Sequence, residues 1–232
     1  MTKRKASKDV NGGAKRKPGS SKPSARRKLD RRTRRPSKSI PLRTVKKLDR
    51  GWRHAQTLGL GCNVFLTLKP RHIDALTPLE RQACWDKYRD RIGQFARREG
   101  FPPTYIWSRE SGRDTGLGEH LHVLIHIPPE LQARFERMCK RWASHPDEVH
   151  LRPANYKVRV TEWGHRHSAR AYITKNSHQA SRYWNETWKP GGPILGKRVG
   201  CTRNLEGRAR AQFQAARRVR PASPPQPPAP LF

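Results

Sequence analysis

Glu119-His-Leu-His-Val-Leu-Ile-His-Ile127 is the stretch on which the reading of this chain turns. Successive side chains of an extended strand point to opposite faces, so Leu121, Val123, Ile125 and Ile127 line one wholly aliphatic face. The other face carries His120, His122, Leu124 and His126. Neighbours on one face stand about 7 Å apart along a strand, so two imidazoles there can converge on one divalent ion. His126 lies too far down the strand to join His120 on such an ion. An HxH pair alone says little in a chain with ten histidines, and a second pair, His165-Arg-His167, falls in a polar turn where it reads as decoration. His120 and His122 are set apart by the core-forming reverse of their strand.

Outward from this strand the pattern alternates. Asn63-Val-Phe-Leu-Thr-Leu68 is a β-branched and aromatic run ended by Pro70 and reads as a strand. Thr77-Pro-Leu-Glu80 is a capping box with proline at the first helical position, and it opens an amphipathic helix to about Arg98, closed by Gly100. Thr104 to Glu110 reads as a second strand, Ser111 to Gly118 as a hairpin loop, and Glu119 to Ile127 as the third strand. A second helix is expected from Glu130 to Ala143 and a fourth strand from Asn155 to Trp163. Ser168 then caps a short helix over Ala169–Ala180. The order β-α-β-β-α-β-α predicts an α+β fold of the split βαβ, ferredoxin-like kind. Its antiparallel sheet of four to five strands is backed by two helices and followed by a tyrosine-bearing helix.

The 232 residues carry a formal net charge of +33, far from the balance of an ordinary globular chain, and the expected partner is a polyanion, nucleic acid first. Residues 1–50 hold 20 Lys and Arg against three Asp with few aliphatics, and read as a disordered basic arm. Residues 51–218 hold the domain, and 219–232 form a proline-rich tail. No run approaches the roughly 18 apolar residues that span a bilayer. No apolar segment follows the basic start, so a cytoplasmic protein without membrane contact is expected. Cys62, Cys84, Cys139 and Cys201 stand far apart without a CxxC pair, which disfavours a disulfide framework or a cysteine zinc site.

Downstream, Ala171-Tyr-Ile-Thr-Lys175 places Tyr172 and Lys175 three residues apart, on one face of a short helix. A phenol with its ordinary pKa of about 10 is a poor nucleophile and attacks only where a metal or charge activates the reaction. A Tyr-x-x-Lys pair arises easily in a basic chain, and its position after the histidine strand gives it weight. Tyr156 and Tyr183 are the alternative nucleophiles.

Phe65-Leu-Thr-Leu68, His120-Leu-His122 and Tyr172-Ile-Thr-Lys175 together resemble the three motifs of the HUH endonucleases, in that family's chain order and over roughly half of the chain. Within that superfamily the chain is most similar to single-tyrosine rolling-circle replication initiators of bacterial plasmids and phages. The resemblance implies a nick in single-stranded DNA, a tyrosine joined to the 5′ phosphate and a free 3′ hydroxyl. It also implies Mg²⁺ or Mn²⁺ held by the two histidines and a third polar ligand, an origin stem-loop as substrate, and a helicase of a bacterial host as partner. Asn176 stands four residues after Tyr172, where a two-tyrosine enzyme would carry its second tyrosine. Gly196-Lys-Arg-Val-Gly200 with Arg203-Asn204 resembles a stretch that follows the tyrosine helix in some initiator-like proteins.

For the third ligand the residues favour Glu110, which the 111–118 hairpin turns back toward His120; its carboxylate suits a hard cation. Glu119 faces the core side and Asp114 sits in the loop, so they rank second and third. Arg152, Lys157, Arg159, Arg166 and Arg170 cluster as a candidate path for a single strand. Trp107, Trp163, Trp184 and Trp188 are candidate stacking platforms, though Trp107 and Trp163 fit the core better. A transposase or relaxase would use the same chemistry. A non-catalytic nucleic-acid-binding protein is the alternative of a different class. No P-loop is present, so strand separation would fall to a partner or to supercoiling.

Overall fold

The computed structural model describes residues 35–154, 157–159, 166–184 and 189–219. The elements in chain order are α1 (Leu42–Thr57), β1 (Val64–Leu68), α2 (Pro78–Arg98), β2 (Tyr105–Glu110), β3 (His120–Ile125) and α3 (Gln132–Trp142). They continue with β4 (Val149–Pro153), β5 (Lys157–Arg159), β6 (Arg166–Ser168), α4 (Ala169–Tyr172), α5 (His178–Trp184), β7 (Val199–Cys201) and α6 (Gly207–Val219). Five strands form one antiparallel open sheet in the order β4-β1-β3-β2-β7. The fold is the expected α+β, ferredoxin-like split arrangement, with β3 inserted between the strands that α2 connects.

Local chemistry explains the elements. Thr77 accepts from the Glu80 backbone N–H while the Glu80 carboxylate accepts from the Thr77 N–H, and Pro78 opens α2. On one face of the sheet Leu66, Leu68, Leu121, Val123, Ile125 and Trp107 pack against Trp85, Ile92 and Phe95 of α2 and Phe135 and Cys139 of α3. Arg109 of β2 is buried on this side; it pairs with Glu119 at 2.7 Å, and Trp85 Nε1 donates to the same carboxylate at 2.5 Å.

The reverse face is a second core. Phe65, Ile106 and Leu124 pack with Val45, Leu48 and Ala55 of α1 and with Ala169 and Ile173. The sheet therefore lies between two helical layers. The domain also begins earlier than residue 51. Ile40, Val45 and Leu48 are buried although they fall in the stretch assigned to the basic arm: Val45 and Leu48 line one side of α1, whose other side is cationic, and Ile40 packs just before the helix begins. Residues 1–34 and 220–232 lie outside the described residues.

Two further expectations are corrected. The fourth strand of the sheet is Val149–Pro153, with Val149 and Leu151 packed on the first core; of the strand expected over Asn155–Trp163, residues 157–159 are described and the rest lie outside the described residues. Lys157–Arg159 instead pairs with Arg166–Ser168 in a separate two-stranded ribbon. The tyrosine helix is split into α4 and α5 by a turn at residues 173–177. Among the described residues no helix is long and apolar enough to cross a membrane.

Replacing Leu48 by Ala should cost about 2–5 kcal/mol in denaturant unfolding, the usual range for a buried leucine. A loss under about 0.5 kcal/mol would show that α1 is not part of the cooperative unit. Glu119→Ala should cost about 3–5 kcal/mol because it strands the buried Arg109 guanidinium, and Glu119→Gln should recover part of that loss.

Candidate metal centre and tyrosine pocket

Strand register assembles the candidate site. Glu110 of β2 lies directly across from His120 of β3, and His122, two residues on, shares their face and pairs with Thr67 of β1. Glu110 Oε2 stands 3.5 Å from Nε2 of both His120 and His122. The two imidazoles meet edge to face with centroids 4.7 Å apart. One ligand atom from each of the three residues lies within 4.8 Å of the others, so the group can hold a metal ion.

The ring orientations suit that role. His120 Nδ1 lies 2.9 Å from the Gly118 carbonyl, which can only accept, so a neutral His120 carries its proton there and presents the Nε2 lone pair. Gly118 has φ +64, a conformation that glycine adopts without strain, and its N–H donates to the Asp74 carboxylate. His122 Nδ1 is 2.9 Å from Thr67 Oγ1, and its ring stacks on Phe65 at 5.3 Å. Donation to the hydroxyl likewise leaves Nε2 of His122 as a ligand atom. His122 Nε2 and Glu110 Oε1 are buried without a hydrogen-bond partner among the described residues. Buried acceptors left without a partner on two residues of one triad are what a divalent cation would satisfy.

Electrostatics keep the ligands in their binding forms. Burial pushes the His122 imidazole down to about 4, against the pull of the Glu110 carboxylate. For Glu110 burial acts upward, but the neighbouring His122 and Lys175 outweigh it and hold the carboxyl well below the usual carboxylate range. At neutral pH the buried pair is therefore an anion beside a neutral imidazole. Two nitrogens and one carboxylate suit Mn²⁺ and Zn²⁺ and are compatible with Mg²⁺, and the donor set does not fix the identity.

The structure brings Tyr172 to the same place. Its ring meets His122 edge to face at 5.1 Å and Phe65 at 6.0 Å. It shares with His120 and His122 a cavity of about 260 Å³ lined also by Thr67, Lys69, His150 and Arg152. Lys175 places Nζ 3.4 Å from the Tyr172 ring centroid and 2.6 Å from Glu110 Oε2. The N-cap of α4 is Ser168, whose side chain accepts from the Ala171 N–H.

The remaining candidates separate. Of the expected nucleic-acid contacts Arg152 lines the cavity, whereas Arg170 is bonded to the buried Asp49 of α1 and serves to seat α4. Lys157 and Arg159 lie on β5 and Arg166 on β6. Glu119 faces the opposite side with Arg109, and Asp114 is an exposed loop residue beside Arg113. His126 bonds the Gly61 carbonyl, away from the site. Trp107 is buried in the first core, and Tyr183 and Trp184 end α5. Tyr156, Trp163, His165 and Trp188 lie outside the described residues. Lys69 and His150, which line the cavity, and Asp49, which holds Arg170, are residues that the sequence reading passed over. Alternation of Val149 and Leu151 against His150 and Arg152 is the signal that would have found His150.

No protein-family model, curated protein or solved structure matches the chain.

Mn²⁺ at a hundred times its Kd should raise the unfolding free energy by about 2.7 kcal/mol, and His122→Ala or Glu110→Ala should remove the effect. Thr67→Val should weaken Mn²⁺ binding by about 10–100-fold in calorimetry without unfolding the protein, because His122 then loses the partner that fixes its ring. Unchanged affinity would mean that the hydroxyl does not orient the imidazole.

Proposed function

We propose that this protein is a metal-dependent endonuclease that nicks and rejoins single-stranded DNA through a phosphotyrosine intermediate, of the HUH kind. The observation that carries this reading is the convergence of residues from three regions of the chain: His120, His122 and Tyr172 line one basic cavity, Glu110 meets both imidazoles, and Lys175 bridges Glu110 and the Tyr172 ring. A triad of two histidines and a carboxylate does not require a tyrosine beside it, and a packing tyrosine does not require a lysine on its ring. Their combination suits phosphoryl transfer.

Each side chain then has a task. Lys69 and Arg152 at the cavity wall draw in the phosphate backbone of an unpaired strand. Glu110, His120 and His122 would hold Mg²⁺ or Mn²⁺, which would supply Lewis-acid polarisation of the scissile phosphate. The Tyr172 oxygen bonds to phosphorus, the bond to O3′ breaks, the phenol gives up its proton and the departing O3′ takes one up. The strand is left with a 3′ hydroxyl, and its 5′ phosphate is held as an ester on Tyr172. Lys175, 3.4 Å from the ring centroid, favours the negative charge that builds on the phenol oxygen as the proton leaves. Attack by a 3′ hydroxyl on the phosphotyrosine reverses the step and rejoins the strand. Initiation of rolling-circle replication at an origin stem-loop, with a host helicase opening the duplex, is the setting proposed for this chemistry. A transposase or relaxase would share every step.

Incubation of the full chain with single-stranded and stem-loop oligonucleotides and Mn²⁺, followed by denaturing electrophoresis, tests the proposal. A slow-migrating protein–DNA band should form and disappear with chelator. Tyr172→Phe should abolish it while changing DNA affinity by less than about threefold, and Lys175→Ala should lower its rate by roughly 10²-fold. A band that survives Tyr172→Phe would place the nucleophile elsewhere. Binding without a band on any strand would favour the non-catalytic alternative.

A further inference from the structure

α1 carries a feature that the nicking chemistry does not use. Arg43, Lys46, Lys47, Arg50 and Arg53 are all exposed, at spacings i, i+3, i+4, i+7 and i+10. At 3.6 residues per turn they fall within about 120° of the helix circumference and run for about 15 Å along it. The opposite side, with Val45, Leu48 and Ala55, is sealed into the second core. α6 lies against α1 through Phe213 on His54 at 5.2 Å and adds exposed Arg208, Arg217 and Arg218. Beside the stripe, Ser39, Thr44, Lys47 and Lys197 line a cleft of about 360 Å³.

From this arrangement we infer that the α1 stripe, flanked by α6, docks on the phosphate backbone of double-stranded DNA next to the tyrosine pocket. Phosphates of one duplex strand recur every 3.4 Å or so of helix axis, so about 15 Å of rigid cationic stripe matches four to five of them. A single strand is bound through stacking platforms as well as charge. The stripe offers none, since Trp52 of α1 packs with the second core. Insertion into an anionic membrane interface needs exposed apolar side chains beside the cations. Among the described residues the exposed large hydrophobics are Leu79 on α2 and Leu117 in the hairpin loop, neither of them on α1 or α6.

Placement gives the contact its use. Asp49, on the buried side of α1, bonds Arg170 of α4, two residues before Tyr172. A duplex seated on α1 would thus be held by the same helix that seats the nucleophile, so the junction between paired and unpaired DNA can lie at the cavity. The docking goes beyond the nicking reading and is measured without divalent ion, so either can fail alone.

The test compares the full chain with Arg43→Gln/Lys46→Gln/Lys47→Gln/Arg50→Gln, by fluorescence anisotropy in chelator over a range of salt. The probes are a blunt duplex and a single strand of equal length. Each lost phosphate contact removes about 0.9 from the slope of log K against log salt, so the duplex slope should fall by about 3–4 and the single-strand slope by less than about 1. An unchanged duplex slope, or an equal fall for both probes, overturns the inference. So does a variant that loses binding to phosphatidylserine vesicles while keeping its duplex slope. Should the variant not fold, acetylation of Lys46 and Lys47 in the unaltered protein provides the measurement. Duplex should slow it at least fivefold and single strand should not; equal protection overturns the assignment.

Discussion

Everything at the candidate site depends on the pairing of β3 with its two neighbours. The register that sets Glu110 against His120 and Thr67 against His122 puts a carboxylate, two imidazoles and an orienting hydroxyl on one face of three adjacent strands. Side chains alternate with period two, so a slip of one residue would send both histidines into the aliphatic core and bring Leu121 and Val123 to the site. Such a slip is heavily penalised, because Leu121, Val123 and Ile125 are completely buried against α2 and α3. The hydrophobic face therefore fixes the geometry of the polar one.

A chain this cationic must still bury enough apolar surface to fold, and α1 shows how. Its buried side joins Phe65, Ile106 and Leu124 in the second core while its cations stay in solvent. The one acid of this helix, Asp49, is buried and meets Arg53 at 3.2 Å as well as Arg170. That choice ties the tyrosine segment to the rest of the fold without adding an exposed negative charge to a cationic surface. Arg198 does similar work nearby: it donates to the backbone carbonyls of Ser37 and Gly192 and joins the start of the domain to the segment before β7. Burial pushes its guanidinium down to about 10, which leaves it charged at neutral pH.

Much of this was legible in the residues. β1, β2, β3 and α2 declared themselves through alternation and a capping box, and Glu110, His120, His122, Tyr172 and Lys175 do meet, because the first three share strand faces that period-two reasoning can assign. α1 was hidden by composition: Leu42, Val45 and Leu48 are diluted by Arg and Lys, so net charge masked a helical periodicity. β4 was hidden by its brevity and by Pro153, while the longer alternation at Tyr156, Val158 and Val160 drew attention to the wrong place. Arg170 looked like a DNA contact because its acid, Asp49, lies far away in sequence. Long-range ion pairs leave no local signature.

The position of Lys175 links the two halves of the site. A buried carboxylate is expensive to keep ionised, and Glu110 is kept so by His122 and by the ammonium 2.6 Å from its Oε2. The same ammonium lies over the Tyr172 ring. One tethered charge thus serves the ligand and the candidate nucleophile together, and it occupies one carboxylate oxygen while Oε1 has no hydrogen-bond partner. A lysine on a flexible four-carbon stem can shift between the carboxylate and the phenol without moving the backbone, whereas the planar fork of an arginine would commit to the carboxylate. The residue type, as much as its position, is what suits Lys175 to a place between the candidate ligand Glu110 and Tyr172.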